Sequence, residues 1–176
     1  GQATQVTLPI APPTAAKGLP PLEFFHSIRS PYSYLALGRV SEIASAFGLQ
    51  LKIRPVLPMV MRGMQVPRTK LLYIIKDAAR EAARRGIRFG RFADPLGAGA
   101  ERSLAVFFHA ESQNRGKEFL LNVGEPIWAD AVDVATDAGM RKVTDKTGLS
   151  WPDVRHAMES GNWRNAAAES RDSMMA

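Results

Sequence analysis

The order of apolar and polar positions near the start of the chain predicts a strand, a helix and a second strand. Residues 22–27 are mostly apolar and aromatic, which favours a strand. Ser30 and Pro31 follow, and this pair is typical of the N-cap and first position of a helix. That helix ends at Gly48. Alternation over residues 49–55 predicts the second strand, which a helical crossover makes parallel to the first.

Residues 67–176 have helical spacing of their apolar positions almost throughout. An amphipathic helix is predicted from Pro67 to a stop at Gly86. Further helices are predicted over residues 100–115, 117–123, 126–137 and 140–147. The sequence GEP at 124–126 separates the helix over 117–123 from the next one. Another helix begins at Ser150, which starts a capping-box pattern, and Asn162 can cap the last helix.

These patterns divide the chain into three parts. Residues 1–20 are rich in Pro, Thr and Ala and are expected to form a linker or tail. Residues 21–66 form the strand–helix–strand portion, and residues 67–176 form a helical domain. Two strands do not make a stable sheet alone, and the first strand is apolar on both faces, as a central strand would be. Its unpaired edge predicts pairing with another chain or with residues beyond this sequence.

Composition narrows the possible chemistry. The chain has 176 residues, which suits one domain, and its net charge of +6 favours anionic partners. It has no cysteine, so any thiol chemistry must use a thiol that a ligand supplies. Its three histidines lie far apart, and no metal site is expected. No apolar run is long enough to span a membrane, and no signal peptide is visible.

The turn between the first strand and the first helix is the strongest candidate for chemistry. Free N–H groups and the positive end of the helix dipole point out of a helix N-terminus, and together they stabilise a thiolate. Ser30 and Ser33 have the i, i+3 spacing of the cysteines in a Cys-x-x-Cys motif. A serine hydroxyl can donate a hydrogen bond to a thiolate of a bound ligand. A plain helix cap is the alternative interpretation of Ser30 and Pro31.

Several segments, taken in order, resemble the 2-hydroxychromene-2-carboxylate isomerase family. That family is related to kappa-class glutathione transferases and to DsbA-like thioredoxin-fold proteins. The segment FFHSIRSPYSYLA at 24–36 resembles its start, and RPVLP at 54–58 its second strand and following loop. Similar blocks follow: DAARE at 77–81, GIRF at 86–89, DPLG at 94–97, Trp128 with DVATD at 133–137, and GLSW at 148–151.

The resemblance implies an α/β fold, a thioredoxin-like βαβ unit with a large all-helical insertion. The family's C-terminal strands, which begin at a cis-proline and complete its glutathione site, are missing from this sequence. The resemblance also implies glutathione as cofactor, Ser30 facing its sulfur, and a binding turn of Pro31, Tyr32 and Ser33. The implied reaction is isomerisation of an aromatic enone carboxylic acid. The partner is then a small aromatic carboxylate, and the chain is a cytoplasmic homodimer.

Cations after the second strand are candidates for binding the substrate. Arg62 and Lys70 follow that strand on the side where open α/β folds bind ligands, and they could meet carboxylates of glutathione or substrate. Two departures from the family weigh against activity: many members have aspartate where this chain has Ser27, and many have asparagine where it has Met64. The alternative is a non-catalytic DsbA-like domain of a longer protein that acts by binding.

An arginine-rich face in the helical part suggests a solvated surface more than a nucleic-acid site. It consists of Arg80, Arg84, Arg85, Arg88 and Arg91. Asp77 is spaced to form an ion pair with Arg80, and Glu81 with Arg85, along one helix. No aromatic residues interleave them and no nucleic-acid motif is present, so we expect no nucleic-acid partner.

Overall fold

A strand–helix–strand unit opens the described part of the chain and is followed by helices. The computed structural model describes residues 18–176, so residues 1–17 of the predicted tail lie outside the described residues. The unit comprises β1 (Leu22–His26), α1 (Pro31–Ala46) and β2 (Leu51–Pro55). A short 3-10 turn (Met59–Arg62) leads to α2 (Arg68–Arg85), α3 (Ala98–Ser112), α4 (Gly116–Ala129), α5 (Asp137–Thr147), α6 (Trp151–Ser160) and α7 (Trp163–Met175).

The two strands pair in parallel, as the sequence predicted. Leu22 lies opposite Leu51, and His26 lies opposite Pro55. Phe24 and Ile53 are neighbours on one face and pack against the main core. Because side chains alternate along a strand, that face of the small sheet is the one that rests on the helices.

One buried cluster joins the strand–helix–strand unit to the helical part. Ile28 and Leu37 contribute from the first unit, while Phe107, Phe119 and Ile127 contribute from α3 and α4. All five side chains are almost inaccessible to solvent. Burying one such side chain contributes about 1.5–3 kcal/mol, so the shared core holds α1 and the sheet against α3 and α4.

Helix α4 corrects the prediction that GEP at 124–126 separates two helices. The helix runs through Pro126, which is buried inside it. A proline costs about 3 kcal/mol in a helix interior because it loses a hydrogen bond and crowds the preceding turn. Packing offsets that cost: Ile127 lies in the core beside it, and Gly124 sits against the ring of Tyr34.

Three helix boundaries also differ from the prediction. Helix α3 ends at Ser112 rather than near residue 115, because Asn114 adopts a left-handed conformation with φ of 59°. Residues 130–136 connect α4 to α5 instead of continuing a helix to residue 137. Helix α5 begins at Asp137, three residues early, because the Thr136 side chain accepts a hydrogen bond from Gly139 N–H at 3.1 Å.

The predicted caps of the last two helices are only partly correct. Ser150 and Asn162 occupy the N-cap positions of α6 and α7, but neither side chain makes a capping hydrogen bond. Local sequence therefore located these helix starts without giving their hydrogen bonds. Among residues 18–176, no helix is both long and apolar enough to cross a membrane.

Candidate functional site at the start of helix α1

Ser30 caps α1 in a way that leaves its hydroxyl proton available. Its Oγ accepts a hydrogen bond from Ser33 N–H at 3.2 Å, and its carbonyl accepts one from Tyr34 N–H at 3.2 Å. Because Oγ acts here as an acceptor, the O–H can still donate to a ligand. Pro31 has no N–H, and the Tyr32 N–H has no hydrogen-bond partner among the described residues. This end of α1 therefore presents one hydroxyl donor and one backbone donor.

Ser33 has a different role from Ser30. Its Oγ accepts a hydrogen bond from Ser27 N–H at 3.3 Å, and Ser30 N–H donates to the Ser27 carbonyl at 2.9 Å. These bonds close the turn between β1 and α1. The sequence placed Ser30 and Ser33 together as a pair, whereas the structure gives the cap to Ser30 and the turn to Ser33.

Two tyrosines of the first turns of α1 reach the helical part. The Tyr32 hydroxyl donates to Asp77 Oδ2 at 2.7 Å, and the Tyr34 hydroxyl donates to the Arg88 carbonyl at 2.8 Å. Burial and then the bond to Asp77 raise the pKa of Tyr32 to about 12. Burial and then the Glu125 carboxylate raise the pKa of Tyr34 to about 12. Both phenols therefore stay protonated at neutral pH and act as hydrogen-bond donors.

Arg29 makes the third link from this turn to the helical part. Its Nε and Nη2 donate to the two carboxylate oxygens of Asp94, each at 2.7 Å. The hydrogen bond with Asp94 raises the pKa of Arg29 above its usual range. Sequence reasoning missed Arg29 and Tyr34 as contact residues. Their partners lie 65 and 54 positions away, respectively, and no local spacing signals such a contact.

His26 lies buried at the end of β1, just before the turn. Only 3% of its surface is exposed, and its ring meets that of Phe24 edge-on at 5.9 Å between centroids. Burial lowers the pKa of His26 to about 4, so the ring is neutral at pH 7. The structure therefore places His26 as a buried residue of the interior. Residues 18–176 contain no group of three His, Cys, Asp or Glu side chains that could hold a metal ion.

The positions of Arg62 and Lys70 do not test their predicted role in binding a carboxylate. Arg62 is half-buried, and its Nε donates to the Leu57 carbonyl at 3.1 Å, which closes the loop after β2. Lys70 is exposed in the first turn of α2. It precedes Asp77 by seven residues, which puts it on the same face about 10 Å along the axis. Neither cation forms a salt bridge among the described residues.

Apolar side chains are exposed on the segments that adjoin the turn. Tyr32 is itself partly exposed, and Leu72 and Tyr73 are exposed on α2. Met61 packs against the core, whereas Met59 and Met64 are more than 40% exposed. An aromatic ligand at the start of α1 would find apolar surface close by.

The arginine-rich face is largely ion-paired. Arg80 meets Asp77 at 3.0 Å, and both Arg84 and Arg85 meet Glu81, at 3.0 and 3.4 Å. Arg88 pairs with the carboxylates at positions 125 and 130. The predicted ion pairs on α2 are therefore present.

This architecture defines a class of protein: an α/β chain with a thioredoxin-like βαβ unit and a helical insertion. The model of the DSBA-like thioredoxin domain family matches residues 21–175, and the chain belongs to that family. The predicted DsbA-like thioredoxin fold is therefore confirmed.

Solved structures agree with this fold. A 2-hydroxychromene-2-carboxylate isomerase superposes with a TM-score of 0.70 at 21% identity, covering 86% of this chain and 77% of that one. A candidate protein disulfide isomerase from Nitrosomonas europaea superposes with a TM-score of 0.68 at 13% identity, covering 87% and 76%. At these identities the likeness shows the fold. No curated protein matches the chain by sequence.

Proposed function

We propose that the chain is a glutathione-dependent isomerase, or a related transferase, that acts on an aromatic enone carboxylic acid. The observation that carries the proposal is the hydroxyl of Ser30, which caps α1 and keeps its proton free to donate. The superposition with a 2-hydroxychromene-2-carboxylate isomerase supports the choice of reaction. The absence of cysteine requires that the thiol come from a ligand.

The donors at this turn suit a bound thiolate such as that of glutathione. Ser30 O–H and Tyr32 N–H would both point at the sulfur, and the dipole of the 16-residue helix α1 would add to them. A hydrogen bond to a charged group is worth about 1.5–3 kcal/mol, and the dipole about 0.3–1 kcal/mol. Since about 1.4 kcal/mol corresponds to one pKa unit, the turn would lower the pKa of the thiol by roughly one to three.

When bound, glutathione would supply a thiolate nucleophile that can add reversibly to the conjugated double bond. The chain's own residues bind and orient. Ser30 and the turn from Pro31 to Ser33 hold the sulfur in its charged form. Arg62 or Lys70 holds a carboxylate, and the apolar surface near Tyr32 receives the aromatic ring. No acid or base from the chain is needed to make or break a covalent bond.

A calorimetric titration with glutathione tests the proposal. We expect binding by the natural chain and a loss of about tenfold or more in Ser30→Ala, because one charged hydrogen bond is removed. Ser45→Ala, at the other end of the same helix, should bind normally. A Ser30→Ala variant that binds as tightly as the natural chain would contradict the assignment of Ser30. Glutathione-dependent cis–trans isomerisation of an aromatic enone acid, followed by absorbance, then tests the reaction.

A non-catalytic DsbA-like domain that acts by binding is the second candidate. Ser27 favours it, because this position offers a backbone N–H to Ser33 but no carboxylate. Met64, which is exposed after the loop, offers no hydrogen bond where an amide would. A full-length protein that binds no glutathione would favour this candidate.

Assembly and location form a further part of the proposal. We propose a homodimer, because the sheet of the described residues has only two strands and leaves both outer edges unpaired. The resemblance to the isomerase family supports a cytoplasmic location. Light scattering tests it: a dimer mass is expected, and a monomer at all concentrations would contradict it.

A further inference from the structure

We propose that the Arg29–Asp94 pair positions Ser30 and thereby tunes the thiolate site at the start of α1. Arg29 is a positioning residue here because it acts through its chain neighbour. This inference rests on the proposed function of Ser30 as a donor to a thiolate.

The geometry of the pair is that of a rigid contact. Two parallel hydrogen bonds of 2.7 Å join the guanidinium to the carboxylate, and the Arg29 side chain is only 15% exposed. Single ion pairs on the surface are mobile and contribute little, whereas a bidentate pair fixes both distance and orientation. Since Arg29 directly precedes Ser30, fixing its side chain restricts where the Ser30 backbone can lie.

Asp94 is itself anchored to the helical part. Its Oδ1 also accepts a hydrogen bond from Leu96 N–H at 3.1 Å, which closes the turn before α3. The next residue, Pro95, packs so closely on Gly99 that a methyl group there would lie 3.3 Å from its Cβ. Gly99 and the following turns of α3 are buried. The pair therefore ties the turn at Ser30 to a helix of the core.

Position matters at this site because its stabilising effects are short-ranged. The helix dipole acts within the first turn, and a hydrogen bond to sulfur weakens as its distance and angle depart from the optimum. A displacement of Ser30 would move the hydroxyl and the Tyr32 N–H together. The pKa of a thiol held there would then rise.

A purely electrostatic effect of Arg29 would produce a different pattern and can be separated from positioning. Arg29→Lys and Asp94→Glu conserve both charges, but each breaks the bidentate geometry. If only the charges matter, these two variants leave the pKa of the thiol unchanged. If position matters, both raise it, and the double variant is no worse than the larger single effect because one contact is lost in each case.

The experiment places a thiol in the full chain by Ser30→Cys and measures its pKa from the pH dependence of alkylation. Ser45→Cys is the reference, because Ser45 is exposed and lies 15 residues later in the same helix. We expect the thiol at position 30 to have a pKa at least one below that at position 45. Arg29→Lys and Asp94→Glu in the Ser30→Cys background should each raise it by about 0.5. Arg84→Lys, which keeps an exposed pair with Glu81, is the control and should leave it unchanged.

Each outcome decides one proposal. Since Ser30→Cys removes the donor hydroxyl, this thiol reports on the helix start, and equal pKa values at positions 30 and 45 would overturn the proposal that the helix start stabilises a thiolate. A depressed pKa at position 30 that neither charge-conserving variant raises would overturn the positioning role while leaving the site intact. If Asp94→Glu does not fold by circular dichroism, Arg29→Lys alone decides. In the chain that keeps Ser30, Arg29→Lys should lower the affinity for glutathione severalfold. An unchanged affinity would count against the inference.

Discussion

The two ends of helix α1 carry serines that do opposite things. At the first end, Ser30 and Ser33 accept hydrogen bonds from backbone N–H groups, so their hydroxyl protons remain available. At the last end, Ser41 and Ser45 donate to the carbonyls of residues 37 and 41, both at 2.9 Å. Free N–H groups occur only at the start of a helix, whereas Ser41 and Ser45 bond back to carbonyls four residues earlier inside it, which already belong to the helix ladder. Serine therefore keeps its hydroxyl proton available to a ligand at the start of α1, whereas later in the helix it donates that proton to a backbone carbonyl.

The ends also differ in how firmly they are held. Near the start, Leu35 is buried against α2, and Tyr32 and Tyr34 bond to the helical part. Near the end, Ser41 and Ser45 line a cleft with Glu111 and Lys117. Tight contacts at the first end are what a site that must hold a fixed geometry requires. The following predictions test this difference, from the largest effect to the smallest.

Truncation of Leu35 should destabilise the chain more than truncation near the other end of α1. Leu35→Ala removes a buried side chain and leaves a cavity, which costs about 2–5 kcal/mol. Ile43 is half-buried, so Ile43→Ala should cost about 1 kcal/mol. Chemical denaturation measures both free energies of unfolding. Equal losses would mean that the two ends are packed alike.

Acid should destabilise the chain through His26, which borders the first end. Its pKa falls from 6.5 in the unfolded chain to about 4 in the fold, so the unfolded state binds the proton more readily. Stability is complete above pH 6.5 and should fall by about 3 kcal/mol as the pH drops to 4. Denaturant titrations at several pH values measure it. In His26→Gln this loss of stability between pH 6.5 and pH 4 should disappear. A loss that persists would contradict its assignment to His26.

Two glycines give a matched pair for the packing of α1. A methyl group on Gly124 would lie 2.5 Å from Cδ2 of Tyr34, so Gly124→Ala should cost about 1–3 kcal/mol. Gly38, midway along α1, has nothing within 4 Å of such a methyl group. Gly38→Ala should therefore stabilise by about 0.5–1 kcal/mol through helix propensity. Thermal unfolding of both variants should show shifts of opposite sign, and shifts of the same sign would refute the comparison.

Ser30, the N-cap of α1, and Ser45, in its last turn, should show the smallest difference in stability. Ser30→Ala loses the hydrogen bond from Ser33 N–H and should cost about 1 kcal/mol. Ser45→Ala is exposed, loses only a bond to a carbonyl of the same helix and should stay within about 0.5 kcal/mol of the natural chain. Urea denaturation resolves this difference. A Ser45→Ala variant that loses as much stability as Ser30→Ala would contradict it.

Local signals were enough for the strand–helix–strand unit but not for the links around it. Ser30, Pro31 and Gly48 marked the limits of α1 because capping depends on neighbours in sequence. The same approach failed at Pro126, where GEP is a strong local breaker and buried neighbours override it. It also could not show that Ser33 closes the turn on Ser27, because that hydrogen bond depends on how β1 and α1 pack together.

The sequence by itself determined the parallel βαβ unit, the helical remainder, the family resemblance, and the position of Ser30 at a helix start. Each of these follows from periodicity, caps or the order of short motifs, all of which act over a few residues. Only the tertiary structure decided that Arg29 would meet Asp94 and Tyr32 would meet Asp77. Those contacts join residues 45 to 65 positions apart, and packing of whole helices, rather than local preference, sets which side chains meet.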